Sequence, residues 1–338
     1  MLVIAAISAS VHWAAIARPR HSVLDNTLVR EQLRADLRLS DSSRWELRTN
    51  GRWATSVLRH LCCAMQLRCV PIEDVAAKRT NRQDLIIATC IGGALRFSLT
   101  GGSDPESLKR PRNMRFCPVL STVYDLRNLD VGPQENTVLI TDSPTSGGRV
   151  ERQVWQLTVS IALKTIWRGG LLVHGVLVEH EGRGFILTGP SGAGKTTARE
   201  RLPEGWQGLS DDATLVLRCR DGFWGHPWPG TRELLGLQTE GCDVQRGVPL
   251  WGVFFLQQSQ NDQLSRAPQS QAACMLIEAS EQLLPFRPDV HTRNELRKLR
   301  LSVLDNVCDL VRSVPVHILQ LTLDGHFWEE IERVLGAQ

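Results

Sequence analysis

The chain has 338 residues, 42% of them hydrophobic and 22% charged, and a formal net charge of +3 at pH 7. Such a length holds two domains or one large domain with an addition, and such a composition excludes a disordered chain. The charge is too near balance to imply nucleic acid as a partner. Nine cysteines include no C-x-x-C pair, so reduced thiols among apolar neighbours are expected. A metal site on Cys62, Cys63 and Cys69 would have the wrong ligand spacing for closed zinc sites.

Taken in chain order, residues 1–17 are uncharged and apolar and then meet Arg18, Pro19 and Arg20. The run is short for a membrane span and lacks the basic residue that precedes a secretory signal's apolar core. A weak anchor, a signal and an upstream start that adds residues with no folded role all remain open, and the last is preferred. Residues 1–26 are therefore expected to lie outside the fold, in a cytoplasmic chain without a membrane partner.

Residues 27–142 read as a smaller α+β region. Its expected elements are a helix or linker over 27–37, a hairpin from 35–39 and 44–48, a helix over 52–67, and strands at 84–89, 94–99 and 136–141. The basic loop at 109–115 reads as solvated surface, with docking of an acidic peptide or a phosphate as the alternative. The segment 143–148 is the expected linker. An amphipathic helix over 150–168 should then pack on the sheet of a second domain, 149–338.

Gly189, Pro190, Ser191, Gly192, Ala193, Gly194, Lys195 and Thr196 match G-x-x-x-x-G-K-[ST], the loop that wraps nucleotide phosphates, and Thr197 follows it. Glycines let successive backbone N–H groups turn inward, and the loop opens a helix whose positive end suits an anion. The context is right, with an apolar strand at 184–188 before the loop and a short helix at 196–202 closed by Pro203. The alternating run 171–179 and the turn residues after it feed the loop from a β-hairpin. Asp211 and Asp212 follow Lys195 too closely for a long helix to intervene. A strand at 213–219, an apolar central strand at 249–257, helices at 272–284 and 291–311, a strand at 314–323 and a closing helix at 326–335 complete the reading.

His174-Gly175 in the hairpin, the G-P-S-G-A-G-K-T-T string and Ser210-Asp211-Asp212 resemble the catalytic domain of HPr kinase/phosphorylase, a P-loop fold akin to phosphoenolpyruvate carboxykinase. More distantly the arrangement is similar to HPr-kinase-like proteins of peptide-modification clusters, including SynChlorMet cassette proteins. The resemblance implies an α/β fold with a mixed sheet, ATP and Mg2+ as cofactors, a peptide or protein substrate phosphorylated on a hydroxyl, and a homo-oligomer. The family's acidic, Gly-rich signature has no equivalent here. Gly225-His226-Pro227-Trp228-Pro229-Gly230 and Thr231-Arg232-Glu233 stand in its place, which points away from HPr as substrate.

Phosphoryl transfer needs positioning and charge neutralisation more than covalent chemistry. Lys195 is expected on the β- and γ-phosphates and Thr196 on magnesium. One carboxylate of the Asp211–Asp212 pair should join the metal and the other accept a proton. The resemblance favours Asp211 as base and leaves the metal to Asp212, with His174 paired to an aspartate. His226, Trp228 and Arg232 are expected on a loop at the nucleotide mouth, Arg232 neutralising charge and Trp228 stacking on a base or clamping a peptide; a rigid loop with a buried Trp is the alternative. Arg287 and Arg293 are weaker phosphate candidates. A nucleotide-gated peptide-binding module without kinase activity remains the competing function.

Overall fold

The computed structural model describes residues 32–72, 84–91, 94–100, 121–122, 135–141, 150–234, 242–284 and 293–336. Strands β1 (Leu33–Arg38) and β2 (Arg44–Asn50) form the expected antiparallel hairpin. In β1 the residues Leu33, Ala35 and Leu37 are buried while Arg34, Asp36 and Arg38 face solvent. This period of two decides against a helix over 33–37.

Helix α1 (Arg52–Met65) lays Val57, Leu58, Leu61 and Met65 on this sheet and ends at Gln66, which adopts a left-handed conformation at φ 49°. Strands β3 (Cys69–Pro71), β4 (Asp84–Ile91), β5 (Ala94–Thr100), β6 (Ser121–Thr122) and β7 (Glu135–Thr141) complete a mixed sheet in the order β3-β1-β2-β7-β4-β5-β6. The expected linker at 143–148, the basic loop at 109–115 and the apolar run at 1–17 lie outside the described residues.

Helix α2 (Val150–Ile166) departs from the amphipathic expectation, because it is buried on nearly every side. It packs between α1 and the second sheet, so even Gln153, Gln156, Thr158, Ser160, Lys164 and Thr165 are buried. Three of the hydroxyls are satisfied within the helix: Thr158 donates to the Trp155 carbonyl, Ser160 to Gln156 and Thr165 to Ile161. That back-bonding lets polar residues sit in a helix interior without orphaned groups. The Lys164 ammonium lies 5.6 Å from the centre of the Trp45 ring, which offers the cation its π face.

The second sheet is built on two long strands. Strand β8 (Leu171–His180) pairs with β11 (Ala213–Cys219) through residues 171–174 and with β9 (Arg183–Thr188) through 175–180. Strand β13 (Val248–Gln258) pairs with β12 (Gly222–Trp228) at its start and in parallel with β9 further on, with a register shift inside the β9 pairing between Leu250 and Gly252. The pairings β8–β11–β12–β13–β9–β8 close on themselves. Strand β10 (Trp206–Gly208) flanks β8, and β15 (Val316–Leu321) and β14 (Gln263–Arg266) extend the sheet beyond β13.

Helices α5 (Gln269–Glu281) and α6 (Arg293–Ser313) pack with α2 into the main core, which runs without interruption from Leu37, Trp45 and Leu58 to Val173, Leu215 and Val303. A smaller core gathers Phe185, Leu187 and Phe254 with Ala198 of α3 (Lys195–Glu200) and Phe327 and Ile331 of α7 (Phe327–Gly336). No helix among the described residues is long and apolar enough to cross a membrane.

One expectation is overturned here. Residues 225–228 were read as part of a Pro-Gly loop, yet β12 continues through Trp228 and pairs with β11 along its whole length, from Cys219↔Gly222 to Ala213↔Trp228. Pairing with β13 involves only Trp224 and Gly225, so Pro227 lies beyond the part of β12 that is paired on both sides. A proline is tolerated there because it breaks no two-sided ladder.

Candidate functional site

The site begins at the hairpin. Glu181 and Gly182 turn at φ 51° and 76°, the geometry of a two-residue primed turn, and send β9 back beside β8. At the point where β8 changes partners, a side chain on Gly175 would meet Ile186 Cγ2 at 2.9 Å and the Leu187 carbonyl at 3.0 Å. Only glycine lets β9 approach this closely, and that approach puts His174 against the end of β9. Thr188, the last residue of β9, donates from Oγ1 to the His174 carbonyl at 2.7 Å.

Directly after Thr188 the chain enters the glycine-rich loop. Gly189, Gly192 and Gly194 take φ of 151°, 82° and 97°, all in the range that other residues avoid. No atom lies within 4 Å of where side chains on Gly192 and Gly194 would project. The loop is braced by the Ala193 amide on the Pro190 carbonyl and by Gln258 Nε2 on the Gly192 carbonyl, 2.9 Å. Lys195 is buried at the start of α3, and its ammonium donates to the carbonyls of Gly189 (2.9 Å) and Pro190 (3.1 Å). Pro190, Ser191 and Thr197 are exposed and Thr196 is half-buried.

The acid pair reaches the same place by a different route. Ser210 is buried, and its hydroxyl accepts the Leu177 amide at 2.9 Å while its own amide and that of Leu209 donate to the Leu177 carbonyl. This stitch to β8 is followed by the Gly175 amide donating to the Asp212 carbonyl at 3.1 Å and by Thr214 Oγ1 donating to the Gly175 carbonyl at 2.9 Å. Asp211 and Asp212 therefore lead into β11 opposite His174, with Ala213 as its register partner.

The result is a cluster. His174 Nε2 lies 3.6 Å from Asp212 Oδ1, an electrostatic contact slightly longer than a hydrogen bond. Burial holds the His174 imidazole below its ordinary value, Asp212 opposing and Lys195 reinforcing the shift. Burial likewise lowers Lys195, with Asp212 acting to keep it charged. Asp212 is thus within electrostatic reach of both groups. Asp211 is more enclosed, with 7% of its surface exposed.

The structure adds Glu233 to this group. It sits on the four-residue helix α4 (Thr231–Leu234), and its Oε2 accepts the Gly230 amide at 3.0 Å. Burial is the main reason its carboxyl is held above the usual range, and Asp211 and Asp212 push the same way. The signal in the sequence was the glutamate half of a capping box, three residues after a glycine at the helix start.

The remaining candidates are placed as follows. His226 is fully buried: Nδ1 donates to the Val244 carbonyl at 2.8 Å, and Nε2 accepts from the Ser40 hydroxyl at 2.9 Å and from the Ser40 amide. Trp228 is 2% exposed. These two are packed in the strand and do not hang over the glycine-rich loop. Arg232 lies on α4, Arg293 opens α6, and Arg287 is outside the described residues.

Burial pushes the Cys62 thiol up, and no three His, Cys, Asp or Glu among the described residues gather as a metal cage. A small oxygen-loving cation held by one or two protein ligands and water remains compatible with the Thr196 hydroxyl and the nearby carboxylates.

Residues 147–336 match the model of a protein family described as SynChlorMet cassette protein ScmC. Curated relatives include the HPr kinase/phosphorylases of Streptococcus mutans (28% identical over 135 residues, 39% of this chain and 41% of the relative) and Streptococcus thermophilus (30% over 134 residues, 39% and 41%). That of Streptococcus gordonii is 26% identical over 159 residues, 44% of this chain and 49% of the relative. The matched part spans between about two-fifths and one-half of the relatives' length. With more than half of its length matched, the chain belongs to the SynChlorMet cassette protein ScmC family.

Proposed function

We propose that the protein is an ATP-dependent phosphotransferase that moves the γ-phosphate to a hydroxyl, that of a serine, on a peptide or protein within a peptide-modification pathway. The observation that carries this reading is the convergence of Lys195, Asp212 and His174 beside the glycine-rich loop. The name of the curated relatives supports the type of chemistry, and the family supports the setting.

The loop amides and Lys195 would hold the phosphates, Lys195 leaving the carbonyls of Gly189 and Pro190 for the anion. Asp212 favours the charged form of Lys195 against the effect of that lysine's burial. Thr196 fits as a magnesium ligand; when bound, the ion neutralises charge on the β- and γ-phosphate oxygens. We assign proton acceptance to Asp212 in place of Asp211, because Asp212 lies against His174 and within electrostatic reach of Lys195. His174 is biased to the neutral form, so it orients Asp212 without cancelling its charge. In the reaction the substrate oxygen bonds to the γ-phosphorus, the bond from that phosphorus to the β,γ-bridging oxygen breaks, the hydroxyl proton passes to Asp212, and ADP leaves.

The test is transfer from labelled ATP with magnesium to precursor peptides encoded beside the gene. Asp212→Asn should lower kcat about a hundredfold or more at nearly unchanged ATP affinity. An Asn variant as fast as the wild type refutes the assignment. ATP binding with no transfer to any of these peptides would leave a nucleotide-gated peptide-binding module.

A further inference from the structure

We infer that α1 of the N-terminal sheet positions Asp212 through α4, with His60 and Glu233 as the two fixing points. This rests on the phosphotransfer reading only for its kinetic consequence. The chain of contacts is short. His60 Nε2 donates to the carbonyl of Leu234, the last residue of α4, at 2.7 Å. The neighbouring Glu233 accepts the amide of Gly230, one turn back, through Oε2, and Leu234 donates its own amide to the Gly230 carbonyl at 3.1 Å. Gly230 in turn lies flat on Asp212, so closely that any side chain at 230 would run into the Asp212 side chain.

The segment beyond α4 is bound to the same helix. The amides of Cys242 and Val244 donate to the carbonyls of Ala64 and Met65 at the end of α1. Ahead of α4, His226 is bound to Ser40 of the β1–β2 turn, and beyond α4 Gln245 Oε1 accepts the Arg38 amide. The wall behind Asp212 is therefore suspended from the N-terminal sheet at several points. A four-residue helix has too few internal hydrogen bonds to hold its own shape, so these anchors fix where Gly230 stands. His60 and Glu233 are positioning residues: neither is placed on the reacting atoms, and each acts through the Gly230 backbone.

The experiment uses the full chain with His60→Ala, Glu233→Ala and Glu233→Gln, read by amide hydrogen exchange and by magnesium-dependent ATP turnover with water as acceptor. His60→Ala and Glu233→Ala should speed exchange both at 226–234 and at 209–215, and lower kcat about tenfold while ATP affinity stays within about twofold. Glu233→Gln keeps an oxygen that can accept the Gly230 amide and should recover most of the loss in both readouts. Unchanged exchange at 209–215 in His60→Ala overturns the inference, as does a Gln variant no better than the Ala variant. His60 is half-buried and makes one bond to α4, so its variant decides the matter if Glu233→Ala does not fold. A wild-type protein that binds ATP but passes its γ-phosphate neither to water nor to a precursor peptide would refute the phosphotransfer reading, while the exchange result would still decide the α1-to-Asp212 coupling.

Discussion

Gly175→Ala tests the packing that assembles the site. The added methyl would lie 2.9 Å from Ile186 Cγ2, 3.0 Å from the Leu187 carbonyl oxygen and 3.1 Å from Thr188 Cβ. Comfortable carbon contacts are about 3.5–4.0 Å, so β8 and β9 must separate by roughly half an ångström or more. Overpacking of this kind costs about 1–3 kcal/mol. Gly175 is not among the residues with positive φ, so alanine suits the backbone, and the stiffer unfolded chain returns about 0.4–1 kcal/mol. The steric term wins, for a net loss of about 1–2 kcal/mol.

The displacement falls on Thr188, one residue before the loop, and on the two bonds that Gly175 makes to Asp212 and Thr214. ATP affinity should therefore fall with stability. Urea unfolding should give a lower midpoint at unchanged slope, and titration with a fluorescent ATP analogue a weaker Kd. A variant with wild-type midpoint and wild-type affinity would refute the claim that the close β8–β9 approach builds the site.

Lys195→Met should weaken ATP binding at least tenfold with little change in the urea midpoint, since among the described residues its ammonium bonds two loop carbonyls; calorimetry on the variant checks it. Stability should fall on acidification from pH 7.5 to 5.5. Burial holds His174, His226 and His317 below the ordinary imidazole value, so the unfolded chain binds protons near pH 6.5 that the native chain refuses. The loss is bounded by about 1.4 kcal/mol per pH unit for each such histidine and is partly offset by Glu233, whose raised carboxyl gains a proton earlier in the native state; a urea midpoint that rises on acidification contradicts this. Among the cysteines at 62, 63, 219, 242 and 274, thiol labelling at pH 7.5 should modify the exposed Cys63 and Cys274 first and leave Cys62, Cys242 and Cys219 slow, the last with its thiol pushed up to about 12 by burial, and mass spectrometry of labelled peptides reads the order.

Much of this architecture was legible because it is local. The hairpin at 171–188, the loop glycines and the helix after them each follow from residues adjacent in the chain, as does the periodicity of α1. What the sequence concealed depends on partners far away along the chain. Helix α2 reads as amphipathic because its buried Thr158, Ser160 and Thr165 look polar, but they bond their own helix and lie between two layers that the sequence does not announce. The segment around Pro227 reads as a loop because proline usually breaks strands, and only the early end of the β12–β13 pairing makes it acceptable. Glu233 carried a capping signal, but its nearness to Asp211 and Asp212 arises from tertiary packing alone.

The all-round enclosure of α2 bears on how the protein can be dissected. The stretch shared with the family opens at residue 147, just ahead of this helix. A fragment starting there would leave the flank that α1 covers, with Lys164 stripped of its Trp45 ring, facing water. Such a truncation should be recovered in aggregates rather than as a free-standing catalytic half. Biochemistry on this protein therefore calls for both halves in one polypeptide, and the boundary of sequence similarity is not a boundary of folding.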